Sequence, residues 1–207
     1  MRIKICGIMS PEDRDAAIDA GADALGFVLC ERSRRALSLA QLVGLLDGMP
    51  PFVQSVGLFA DPTAEWVRRV MAQAPVDLLQ FHGNEAAAFC RDFGRPYIKS
   101  VPMGTVTDPQ AYMNHYPEAR GFLLDSNALN EAGGSGKRFD WTRCPRTTAK
   151  PLVLAGGLNA ANVAAAIRLV RPFAVDVSSG VERSPGVKQA AGMRAFCRAA
   201  RGALTEC

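Results

Sequence analysis

The chain has 207 residues, 48% hydrophobic and 21% charged, which is enough apolar material for a substantial core and argues against disorder. Its net charge of +4 comes without a basic run or interleaved aromatics, so no nucleic-acid partner is expected. No apolar run approaches the length of a membrane span and no export signal precedes the first strand, so a cytoplasmic protein with no membrane partner is expected.

Short apolar runs then alternate with helical patterns. RIKICGI (2–8) predicts the first strand, after which Ser10 and Pro11 cap and open a helix that Gly21 stops. ALGFVL (24–29) and QSVGLF (54–59) follow as strands, and DPTAEW repeats the helix-opening device with Asp61 and Pro62. DLLQFHG (77–83), PYIKSV (96–101) and GFLLDS (121–126) are the next three strands, with Asn84 available to cap a helix. After the sixth strand, DWTRCP leaves room for little more than a turn. PLVLAGG (151–157) and FAVDVSSG (173–180) complete the set, with Asn159 as a further cap. The closing segment 187–204 has a helical pattern in which Val187, Ala191, Met193 or Arg194, Phe196 and Ala200 partly share a face.

Each strand is short, mostly apolar and bounded by Gly, Pro or Asp, as strands buried on both faces are. Eight β–α units at a spacing of about 25 residues predict a parallel (β/α)8 barrel, with residues 1–207 forming one domain. The structural rival is an open doubly wound sheet. It usually carries fewer strands and a GxGxxG turn after the first, and this chain has neither.

Barrel chemistry belongs at the carboxyl ends of the strands. Those positions carry Cys6, then Cys30 and the ERSRR loop, then Gln80 and His82, Asp125, the AGG turn (155–157) and DVSSG (176–180). Gly156 and Gly157 let backbone N–H groups approach an anion, and Ser178, Ser179 and Gly180 add hydroxyls and a second flexible turn. Turns after strands seven and eight are the frequent phosphate site of this fold, which points to a phosphorylated small molecule. Six cysteines (Cys6, Cys30, Cys90, Cys144, Cys197, Cys207) form no CxxC pair, so neither a metal site nor a disulfide framework is expected. The Gly-rich loop over 127–139 starts beside Asp125 and has the character of a lid.

Taken together, KICGI, GFLLDS, GGSGKRFDW, LAGGLNAANV and FAVDVSSGVERSPG resemble the phosphoribosylanthranilate isomerase family of tryptophan biosynthesis, over nearly the whole chain. VGLFA (56–60) and LQFHG (79–83) resemble it as well. One departure is Ala36, where the family usually has an aromatic residue after its substrate arginine. The resemblance implies an Amadori rearrangement without metal or other cofactor, with Cys6 as general base and Asp125 as general acid. It also implies that Arg35 holds the anthranilate carboxylate, a role suited to a guanidinium fork. His82 is expected to support substrate binding, Arg34 to be a solvated charge and Cys30 to have no role.

Two rivals differ in what they need. The related isomerase of histidine synthesis resembles a barrel with a carboxylate at the end of strand one and a second phosphate turn, whereas this chain has Cys6 there and no such turn in its first half. A barrel that only binds a phosphorylated metabolite needs neither Cys6 nor Asp125. An oligomer interface would use ordinary helix faces, so monomer and homodimer both fit the sequence.

Overall fold

β1 (Arg2–Cys6) pairs in parallel with β2 (Ala24–Val28) on one side and β8 (Ala174–Val177) on the other, so the sheet closes on itself. Between these run β3 (Gln54–Phe59), β4 (Leu78–Phe81), β5 (Tyr97–Pro102), β6 (Gly121–Asp125) and β7 (Leu152–Leu154), all parallel. The computed structural model describes residues 1–126 and 139–203. The expected (β/α)8 barrel is therefore present, and the doubly wound alternative is excluded by closure of the sheet.

Helices follow most strands: α1 (Pro11–Asp19), α2 (Leu39–Asp47), α3 (Ala64–Gln73), α4 (Ala87–Arg91), α5 (Pro109–Asn114), α6 (Val163–Val170) and α7 (Ala190–Gly202). After β6 the described chain forms only a 3₁₀ turn at Trp141–Arg143, as the shortness of that segment predicts. Among the described residues, no helix is long and apolar enough to cross a membrane.

Strand alternation divides the core. Ile3, Ile5, Leu25, Phe27, Phe59, Leu79 and Phe81 point away from the barrel axis and pack beneath the helices. Burying a large apolar side chain of this kind stabilises the fold by about 2–3 kcal/mol. Within the barrel, Ile98, Leu123 and Ala155 form a small separate cluster. It lies below the carboxyl end, where polar side chains take over.

Several local expectations change. The helix opening at Asp61–Pro62 starts later: Thr63 is the cap and accepts from the Trp66 N–H. Asp61 instead takes the Asn84 N–H at 2.6 Å, and Asn84 does not cap α4, which starts at Ala87 after Ala86 and has no side-chain cap. Ser10 caps α1 as expected, and Asn159 accepts from the Ala161 and Asn162 N–H groups in the turn that leads into α6. The seventh strand stops at Leu154, because Gly156 and Gly157 have φ of +79° and +65°, outside the extended region.

The closing helix begins at Ala190, not at 187. Val187 and Lys188 instead form β10, which pairs antiparallel with β9 (Glu182–Ser184) around Gly186. Met193, Phe196 and Ala200 are buried as expected, joined by Cys197, whereas Ala191 and Arg194 face solvent.

Candidate active site

On β1, Ile3 and Ile5 face the helices, which turns Lys4 and Cys6 inward. Lys4 lies directly opposite Asp176 of β8 in the strand register, and its Nζ meets Oδ1 at 2.8 Å with both residues buried. One step nearer the mouth, Cys6 lies opposite Gly26 of β2. A Cβ on Gly26 would stand 2.7 Å from Cys6 Sγ and 3.0 Å from Lys4 Nζ, so only glycine leaves the thiol and the ammonium their shared space. Burial pushes the Cys6 thiol up, while the Lys4 and Lys188 cations pull against that and Asp176 adds to it. Burial also opposes the charge on Lys4, but Asp176 and the thiol outweigh it and Lys4 stays firmly protonated.

Asp125 closes β6, which the strand order places three strands from β1 around the barrel. Because the strands are parallel, Cys6 and Asp125 stand at the same end, on different walls. Just beyond β4, His82 Nε2 lies 3.4 Å from Asp125 Oδ2, and Gln80 Nε2 lies 3.3 Å from His82 Nδ1. The backbone that carries His82 is tied from behind. The buried Lys99 Nζ donates to the carbonyls of Phe81 and Gly83 and to Glu85 Oε2. Glu85 Oε1 in turn accepts from the Asp61 and Gly83 N–H groups.

Arg35, in the loop after β2, is buried, while Arg34 is exposed. The Arg35 guanidinium meets Glu182 through Nε at 2.7 Å and Nη2 at 2.8 Å. Lys188 Nζ completes the chain, reaching Glu182 Oε1 at 2.9 Å and the carbonyl and Oγ of Ser178 at 3.2 and 3.3 Å. Burial works to raise the Glu182 carboxyl, but the Arg35 hydrogen bonds and the Lys188 charge overcome it and hold it at about 2. Burial lowers Lys188 and outweighs the upward pull of its pairing with Glu182.

The two glycine-bearing turns lie side by side. A Cβ on Gly180 would run into the carbonyl of Leu158, so the turn after β8 rests directly on the one after β7. Ser179–Val181 winds into a short 3₁₀ helix, whose first N–H groups have no partner within the helix. Among the described residues, no backbone carbonyl accepts from the N–H of Gly156 or Gly157. Donors of this kind, with Lys188 beside Ser178, suit an anion. Also among the described residues, no three His, Cys, Asp or Glu side chains cluster as a metal ion would need. The lid expected over 127–139 lies, apart from Phe139, outside the described residues.

Sequence reasoning missed Lys4, Asp176, Glu182 and Lys188. A signal for the first was present: a lysine two residues before Cys6, within a strand otherwise buried on both faces, must point where the cysteine points. Cys30 lies half-buried, whereas Cys90, Cys144 and Cys197 are buried thiols pushed up by burial to about 12, 12 and 11.

Fold and mouth together define a class: a (β/α)8 barrel whose carboxyl end carries adjoining glycine-bearing turns after β7 and β8, with a thiol and a carboxylate at the same end. The comparisons narrow this. Residues 3–199 match the family model described as N-(5′-phosphoribosyl)anthranilate (PRA) isomerase. The N-(5′-phosphoribosyl)anthranilate isomerase of Acidithiobacillus ferrooxidans is 50% identical over 98% of both chains. The crystal structure of phosphoribosyl anthranilate isomerase from Thermotoga maritima superposes with a TM-score of 0.88 at 40% identity, over 98% of this chain and 99% of that one. Another phosphoribosyl anthranilate isomerase, solved in complex with reduced 1-(o-carboxyphenylamino)-1-deoxyribulose 5-phosphate, matches with a TM-score of 0.82 at 35% identity over the same shares. The chain belongs to the N-(5′-phosphoribosyl)anthranilate isomerase family, whose members are aldose–ketose isomerases.

Proposed function

We propose that this chain, as one barrel domain, converts N-(5-phosphoribosyl)anthranilate into 1-(2-carboxyphenylamino)-1-deoxyribulose 5-phosphate, with Asp125 as acid and Cys6 as base. The observation that carries the reading is their placement at the same end of the barrel, beside the paired turns. A solved relative in complex with a reduced, phosphorylated carboxyphenylamino-deoxyribulose supports the same substrate class.

In this reading the substrate phosphate sits against Gly156, Gly157, Ser178, Ser179 and Gly180. There N–H groups and the start of a short helix meet its charge. Arg35, steadied by Glu182, faces the anthranilate carboxylate. The protonated Asp125 gives its proton to the furanose ring oxygen, and the ring opens to a Schiff base. The Cys6 thiolate then takes the proton from the neighbouring sugar carbon, and the resulting enolamine tautomerises to the ketone. Substrate and product are isomers, so no electrons leave the molecule. His82 flanks Asp125 and, with Gln80, lines the side of the mouth where the sugar ring opens. The five described cysteines are free thiols, in keeping with a protein of the reducing cytoplasm.

The test is direct. Freshly prepared phosphoribosylanthranilate should be consumed by the purified protein, seen as loss of anthranilate-type fluorescence. Persistence of the signal with folded protein would refute the proposal.

A further inference from the structure

A buried lysine inside a barrel needs a reason. The pair it forms with Asp176 does not supply one by itself, since a buried ion pair is often matched in stability by apolar side chains of similar volume. Three independent features converge on the neighbouring thiol. Strand register sets Lys4 opposite Asp176, and alternation then sets Cys6 directly above Lys4 on the same wall. Gly26, on the adjacent strand, is bare where a side chain would be 2.7 Å from Sγ and 3.0 Å from Nζ. Both Lys4 and Asp176 are almost wholly shielded, at 5% and 8% exposed, so their charges act through protein and not through water.

We infer that Lys4 is the positioning residue of the Cys6 thiolate: its ammonium, pinned from the adjacent strand by Asp176, supplies the fixed positive charge against which the thiol ionises. This inference rests on the reading of Cys6 as the base and adds to it what holds that base in its working form. A neutral thiol in a buried pocket is a poor base, and a thiolate there needs a partner. Asp176 plays the opposing part: it fixes the ammonium in place and, as a carboxylate, disfavours a second negative charge close by. The other charged groups facing Cys6 are Lys188 of β10 and Arg35 of the loop after β2. Both are tied to Glu182, so their charges are partly offset there.

The experiment follows the ultraviolet absorbance of the thiolate against pH, taken as the difference between the protein and its Cys6→Ala variant. Lys4→Met should raise the midpoint of the Cys6 titration by about one pH unit or more, and Asp176→Asn should lower it. A purely structural ion pair predicts no such opposed movement. An unmoved midpoint in Lys4→Met, or shifts of the same sign in both variants, would overturn the inference. If either single variant fails to fold, the Lys4→Met/Asp176→Asn double variant removes the pair without leaving a lone buried charge. Its midpoint should lie above that of the unaltered protein, because the Lys4 ammonium outweighs the Asp176 carboxylate at the sulfur; a midpoint at or below it overturns the inference as well. The titration reports on Lys4 even if Cys6→Ala retains isomerase activity, so failure of the base assignment and failure of the Lys4 assignment are told apart.

Discussion

Arg35 and Glu182 are 147 residues apart in the chain, yet the guanidinium meets the carboxylate through two nitrogens, at 2.7 and 2.8 Å. A planar fork held in this way is oriented before any ligand arrives, so binding need not fix a long, freely rotating side chain. Arg35→Ala should therefore weaken binding of the anthranilate half of the substrate while leaving inorganic phosphate affinity largely unchanged. Glu182→Gln, which keeps the shape but loses the charge, should raise KM more than it lowers kcat. Competition binding with anthranilate and with phosphate distinguishes the cases, and equal loss of both would move Arg35 to the phosphate.

The same pair sets a pH dependence. Glu182 is held at about 2 in the folded chain, below the 4.5 of an unperturbed glutamate, so the folded form favours its ionised state. Its stabilising contribution is then present above about pH 4.5 and is lost as the pH falls toward 2. Acid unfolding followed by circular dichroism should be less steep in that window for Glu182→Gln than for the unaltered chain.

Cys6→Ala removes one sulfur from a buried site and should cost about 1 kcal/mol of stability, leaving the barrel folded. Turnover should nevertheless fall by about a hundredfold or more, the usual weight of general-base catalysis. Asp125→Asn should be comparably damaging, since an amide cannot give up a proton as a carboxylic acid does. Steady-state kinetics beside a thermal melt separates catalysis from folding. Near-normal turnover by either folded variant would withdraw its assigned role.

Gly180→Ala tests the proposed phosphate site. The added methyl group would collide with the Leu158 carbonyl and pry the two turns apart. Affinity for inorganic phosphate should fall by about tenfold, the equivalent of one lost charge-assisted hydrogen bond. Calorimetric titration with phosphate reads it, and unchanged affinity would place the phosphate elsewhere on the barrel.

Lys99 offers a prediction that starts from stability. Its Nζ is fully buried between Glu85 and the Phe81 and Gly83 carbonyls. Lys99→Met strands the Glu85 carboxylate and should cost about 3–5 kcal/mol, visible as a lower urea midpoint. His82 rides on the backbone that this pair fixes, so kcat should fall along with stability.

Much of the molecule is local chemistry, and local chemistry is written along the chain. Ser10–Pro11 opens a helix because its hydroxyl caps and its ring presets φ, whatever surrounds it. Short apolar runs ending in Cys6, Asp125 and the Gly156–Gly157 turn mark strands whose carboxyl ends hold polar groups, and parallel closure brings those ends to one mouth. Other features depended on partners far away in sequence. Asp61 has the chemistry of a helix cap, but its carboxylate is taken by the Asn84 N–H once β3 and β4 lie side by side. Lys188 has a helical pattern behind it, yet it sits in a hairpin, where its ammonium finds Ser178 and Glu182. The charges around Cys6 come from β1, β8, β10 and the loop after β2, and only closure of the barrel brings them within reach of one sulfur. A side chain's rotamer and turn preferences belong to its own residue, but its proton affinity belongs to its neighbours, and those are chosen by the fold.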